Sequence, residues 1–180
     1  MEQLLDTTTV IGMVHTAAHE VLSTMLDMHV EAGEPYHENA PPGSSEGVVS
    51  FLGLAGADWA GTGCLRCSSA CACQLASRFL MAEYDAVNDD VLDAFAELTN
   101  MIIGNFKNDL EHRVGPTGLS LPTVIHGRNF ATRSLRTEDW IVVPFRNGDC
   151  LLEIKICLQA REKVATVNRY GERQEFILGR

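Results

Sequence analysis

Apolar residues recur every three or four positions over some stretches of the chain and cluster in short, partly β-branched runs over others. Val10, Val14, Ala17, Val21, Leu22, Met25 and Met28 form one stripe, which predicts an amphipathic helix over about Val10–Met28. Gly33–Gly47 then loses all periodicity under Pro35, Pro41, Pro42, Gly43, Ser44 and Ser45 and reads as a surface loop. Val48–Leu54 and Cys64–Ser68 are strand-like and predict a β-hairpin with a loose turn around Gly56–Ala60, and the glycines at 53, 56, 61 and 63 are read as serving that turn. Ser68 or Ser69 is an N-cap for a helix running through Gln74 to Met81, and Asn88 or Asp89 caps the next. That next helix, about Asp90–Val114, is the longest pattern: Val91, Phe95, Leu98, Ile102 and Phe106 share a stripe, and Gly115-Pro116 stops it. Leu119–His126, Trp140–Phe145 and Cys150–Gln159 read as strands, the last two joined by a turn at Asn147-Gly148.

The order is therefore helix, two strands, two helices and at least three strands. It predicts an α+β fold with helices covering one face of a mostly antiparallel sheet. A single domain is expected over 1–180, its core at about 10–160 and Arg161–Arg180 an edge strand or tail. With 46% apolar residues in 180, the chain can bury one core of its own.

Charge narrows the range of partners. Lys plus Arg number 14 against 24 Asp plus Glu, a net charge of −10 that repels a phosphate backbone, so nucleic acid is excluded. Met1–Val10 has no basic leader pattern, and no run reaches the ~18 apolar residues of a membrane span. A cytoplasmic protein without a membrane partner is expected, with its six cysteines as reduced thiols. Cys64, Cys67, Cys71 and Cys73 have a spacing that invites a zinc or iron–sulfur reading. Divided between a strand and a helix, their thiols would diverge, so they are read as core residues with no metal, as are Cys150 and Cys157. A cysteine-ligated metal protein stays as the alternative from another class. His15 and His19, one helical turn apart, lack the glutamate of a zinc-protease motif and are read as structural.

Opposite the core stripe of the long helix lie Asp93, Glu97, Asn100, Gly104, Lys107 and Glu111, at spacings that put Glu97 and Asn100 side by side in solvent. Spacing alone makes these a solvated helix face. Gly104 is the exception, since glycine inside a helix costs up to about 1 kcal/mol against alanine and calls for close approach of another backbone.

The wording of the segment carries more than its spacing. Glu97-Leu98-Thr99-Asn100-Met101-Ile102-Ile103-Gly104-Asn105-Phe106-Lys107 resembles the signature helix of the CheX and CheC family of chemotaxis phosphatases. The likeness extends to Val21–Met28, the Gly47–Arg66 hairpin, Ala72–Met81 and Leu119–Gly127, covering about residues 10–160 in the family's order. It implies a phosphatase acting on the phosphoaspartate of a CheY-type response regulator. In that reading Asn100 orients the attacking water and Glu97 pairs with the regulator's lysine. Gly104 lets the regulator approach closely, Lys107 makes peripheral contacts, and the regulator itself supplies Mg²⁺. CheC-type members carry a second Glu-x-x-Asn on the first helix. Here that position reads Glu20-Val21-Leu22-Ser23, so one site per chain is assigned and the CheX branch, with a homodimer formed through the sheets, is favoured. The competing reading is a non-catalytic module that docks on a receiver domain or a flagellar-switch component.

Overall fold

A computed structural model describes residues 5–39, 45–130 and 139–160, together with two strands nearer the C-terminus. Helix α1 spans Thr7–Leu26 and begins before its apolar stripe does, because Asp6 caps it by accepting a 2.7 Å hydrogen bond from the Thr9 amide. Helix α2, Ser69–Leu80, is capped by Ser68 as expected, and α3, Asp89–Val114, by Asn88. Asp89 and Asp90 in the first turn of α3, and His112 and Arg113 in its last, match the helix dipole at both ends.

The Gly33–Gly47 stretch is not simply a loop. A short strand, β1 (Glu31–Ala32), immediately precedes it and another, β2 (Tyr36–Glu38), lies within it, both antiparallel to a strand near the chain's end, β7 (Trp140–Asn147). Two or three residues are too few to show a period of two, so what holds them is side-chain and backbone contact. The Gly33 amide donates to the Pro144 carbonyl at 2.8 Å, Tyr36 Oη donates to Glu153 at 2.7 Å, and Glu38 pairs with Lys155.

The hairpin is longer and tighter than its hydrophobicity predicts: β3 (Ser45–Ala55) and β4 (Trp59–Cys67) pair from Val48↔Cys67 to Ala55↔Ala60. Gly61 and Gly63 therefore lie inside β4 and not in the turn. The expected strand Leu119–His126 is split into β5 (Gly118–Leu119) and β6 (Thr123–Phe130). Pro122 brings no amide donor, and Ser120 exchanges hydrogen bonds of 2.9 and 2.8 Å with the backbone of Gly53. β7 and β8 (Cys150–Ala160) form the predicted hairpin around Gly148, whose φ is 57°.

The sheet runs β1-β7-β8-β4-β3-β5, with β2 also on β7, β6 also on β3, and every pairing antiparallel. Alternate residues of its strands, such as Leu52 and Leu54, Leu65 and Cys67, and Leu152, Ile154 and Ile156, join the helices in one hydrophobic cluster, which gives the α+β architecture expected. At the far end β9 (Lys163–Val167) and β10 (Arg173–Ile177) pair with each other in a separate two-stranded sheet, where an edge strand or tail is expected.

The expectation of six reduced cysteines is corrected. Cys71, in the first turn of α2, forms a disulfide with Cys150 at the start of β8, their Cα atoms 4.8 Å apart, within bridging range. Cys64, Cys67, Cys73 and Cys157 are outside that disulfide and all buried, so the core reading holds for their packing.

Candidate active site on the long helix

One face of α3 is fixed by packing. Val91, Phe95, Leu98, Ile102, Ile103, Phe106 and Leu110 are buried against α1, α2 and the sheet. Thr99 is buried among them, and its hydroxyl is satisfied by donating to the Phe95 carbonyl at 2.7 Å. With that face seated, the opposite stripe has one possible orientation, outward.

On that stripe Glu97 is exposed and Asn100 half-buried, adjacent across one turn. Among the described residues neither side chain makes a hydrogen bond or ion pair. Gly104 continues the stripe one turn on. A Cβ built there meets nothing within 4 Å, so no backbone among the described residues accounts for the glycine, and the space above it is open.

Lys107 is placed differently from a free surface cation. Its ammonium binds Glu111 at 2.8 Å along the helix, and the same Glu111 oxygen accepts the Thr117 amide at 2.8 Å. Those two bonds, Lys107 first, hold the Glu111 carboxyl below the usual carboxylate range. Lys107 thus ties the end of α3 to the turn leading into β5.

The neighbouring helix contributes a contact that sequence spacing does not reveal. Asn105 Nδ2 donates to Glu20 Oε2 of α1 at 3.3 Å. Ser23, the α1 counterpart of Asn100, turns its hydroxyl onto its own helix, donating to the His19 carbonyl at 2.6 Å. Glu20 and Ser23 are therefore engaged where Glu97 and Asn100 are not.

The cysteines offer no comparable group. Burial pushes the Cys64 thiol up to about 12 and raises Cys67 further, the nearby Cys73 adding to the latter. Such thiols stay protonated near neutral pH and are poor nucleophiles and ligands. Among the described residues no three His, Cys, Asp or Glu side chains converge as a metal site, and no helix is long and apolar enough to cross a membrane. What the α3 stripe offers is a carboxylate and a carboxamide on the outward face of a well-packed helix, with open space at Gly104 beside them. That arrangement can order water and bind a cation, and it is suited to entering a partner's site.

Comparison with known proteins fits this geometry. Solved structures with the same fold include a CheC-like superfamily protein from Shewanella sp. PV-4. It is 22% identical, with a TM-score of 0.75, over 84% of this chain and 97% of that one. The chemotaxis protein CheX of Desulfovibrio desulfuricans is 24% identical over 83% of this chain and 99% of that one, with a TM-score of 0.72. A CheX from Borrelia burgdorferi, solved in complex with CheY, BeF₃ and Mg²⁺, is 27% identical over 83% of this chain and 97% of its own, also at 0.72. No sequence with a curated description matches. The sequence profile described as chemotaxis phosphatase CheX matches residues 48–146, more than half of the 180, from the central hairpin through α3 to β7, and the chain belongs to the CheX family of chemotaxis phosphatases.

Proposed function

We propose that the chain hydrolyses the phosphoaspartate of a CheY-type response regulator in the cytoplasm, with Asn100 orienting the attacking water and Glu97 pairing with a lysine of the regulator. The observation that carries the reading is the adjacent, unpartnered Glu97 and Asn100 on the outward stripe of α3, in a chain of a phosphatase family. The Borrelia CheX complex with CheY, BeF₃ and Mg²⁺ supports a partner of this type.

The division of labour follows from the substrate. A phosphoaspartate is an acyl phosphate, and in this reading its Mg²⁺ and a lysine belong to the regulator, so the added protein need only place water in line with the phosphorus. As water attacks, the bond from phosphorus to the aspartyl oxygen breaks, leaving inorganic phosphate and a free carboxylate. The Asn100 amide suits this role because it accepts from water through its oxygen and donates through its nitrogen, yet brings no negative charge near the phosphoryl oxygens. Glu97 supplies the charge a lysine needs, one turn away, and Gly104 leaves room for the regulator's backbone. Lys107 contributes at the periphery, through the end of α3 that it holds. A homodimer formed through the sheets belongs to the same proposal, and light scattering on the full chain should give twice the monomer mass.

The test is the decay of a phosphorylated CheY-type regulator in Mg²⁺, alone, with substoichiometric wild-type protein, and with Asn100→Ala. Acceleration by the wild type and none by the variant supports the reading. If both proteins bind the regulator and neither speeds decay, the chain is a docking module and the catalytic reading fails.

A further inference from the structure

Gly61 and Gly63 stand two residues apart in β4, on the face shared with Trp59, Leu65 and Cys67. At Gly61 the space is taken by Leu158 and the Cys157 carbonyl of β8, while at Gly63 the sheet presents bare backbone to a helix. Glycine weakens a strand, and a strand interior retains it where a neighbour comes unusually close. At Gly63 the neighbour is Ile103 of α3. A Cβ there would stand 2.7 Å from Ile103 Cγ2 and 2.9 Å from both Cδ1 and Cγ1.

Ile103 has little freedom to yield. It is fully buried, and a β-branched side chain in a helix is restricted to essentially one χ1 rotamer. Cγ1 and Cγ2 are bonded directly to its Cβ, so with χ1 held in its one favoured rotamer they move with the helix. Ile103 lies three residues beyond Asn100 and next to Gly104, about 4.5 Å along the axis from the amide-bearing position. A rigid helix carries any lift at Ile103 straight to Asn100.

We infer that Gly63 is a positioning residue for the phosphatase site: its missing side chain lets α3 sink onto β4 and so sets how far Asn100 and Glu97 reach into the regulator. The inference rests on the reading of Asn100 given above. A Cβ at position 63 must push Ile103 out by roughly 1 Å to reach ordinary contact. A misplacement of that size can cost about 100-fold in a reaction that depends on positioning.

Two measurements on the full chain test this, one of them independent of activity. In a crystal structure of Gly63→Ala, α3 should be displaced from β4 around Ile103. Kinetically, kcat for regulator dephosphorylation should fall about 10- to 100-fold while KM changes little. Gly63→Ala/Ile103→Ala, which clears the clashing atoms, should recover most of kcat. Helix α3 unmoved in the variant structure, or moved with kcat unchanged, overturns the inference, as does a folded double variant without recovery. Where Gly63→Ala does not fold, Ile103→Leu, which removes the Cγ2 branch and keeps Gly63, should lower kcat more than binding, and an unchanged kcat there overturns the inference as well. A wild-type protein that leaves regulator decay unaltered defeats the phosphatase reading and with it the catalytic half of this one. The seat itself then stands or falls on whether α3 moves.

Discussion

Helices α1 and α3 pack side by side, and each carries a glutamate followed three residues later by a polar side chain: Glu20 and Ser23 on one, Glu97 and Asn100 on the other. The spacing is identical and the outcome is opposite. On α1 both groups are satisfied within the chain, Glu20 by Asn105 and Ser23 by the carbonyl of His19. On α3 neither finds a partner among the described residues, and the next residue of the stripe, Gly104, leaves the surface open. A polar pair on a helix face becomes a candidate site when its hydrogen-bonding capacity is unspent and something can reach it, and the i, i+3 pattern records neither condition.

The sharpest way to break this comparison is to empty the α3 position. Asn100→Ala should lower the rate of phosphoregulator decay by about 100-fold, the scale of a lost positioning contact. Thermal unfolding should shift little, because among the described residues the amide makes no hydrogen bond. A comparable loss of stability would mean that Asn100 is part of the scaffold after all.

Glu97→Gln keeps the shape and removes the charge. A hydrogen bond to a charged group contributes about 1.5–3 kcal/mol, so regulator affinity should weaken by about 10- to 100-fold. Catalysis at saturating regulator should be largely kept. A fall in kcat with affinity untouched would move Glu97 from anchoring the regulator to the reaction itself.

Gly104→Ala separates docking from folding by moving them in opposite directions. The added methyl touches nothing in the chain, and alanine is favoured over glycine inside a helix by about 0.8–1.0 kcal/mol, so denaturant unfolding should show a more stable protein. In the proposed docking the same methyl stands where the regulator approaches, and binding should weaken several-fold. A variant that gains stability and binds normally would leave Gly104 without a function at the interface.

How far these features could be read from the sequence depends on whether their causes are local. Helix α3 was legible at both ends because Asn88 and Gly115-Pro116 are signals that act within a few residues. The chemistry proposed for it has no trace in the periodicity, which gives a solvated stripe, and rests on the wording of Glu97–Lys107. The long-range contacts had no local signal: Cys71 and Cys150 are 79 residues apart, Asn105 and Glu20 are 85 apart. Strands β1 and β2 are too short to show a pattern. Gly61 and Gly63 misled for a definite reason, since glycine marks turns in general, and only the three-dimensional packing shows that Ile103 claims the space at Gly63.

The smallest expected effect bears most directly on why α1 is silent. Ser23→Asn installed in the Asn100→Ala background restores the full Glu-x-x-Asn spacing on α1, yet dephosphorylation should stay at the level of Asn100→Ala alone. Glu20 remains held by Asn105 at 3.3 Å, and an asparagine beside an occupied glutamate lacks the anchor that would bring a regulator's lysine to it. Adding Asn105→Ala releases Glu20 and gives that second site its only opportunity. Recovery of activity with Ser23→Asn alone would show that spacing is sufficient and that the engagement of Glu20 is incidental. Recovery only after Asn105→Ala would show that α1 is kept inactive by the contact that joins it to α3.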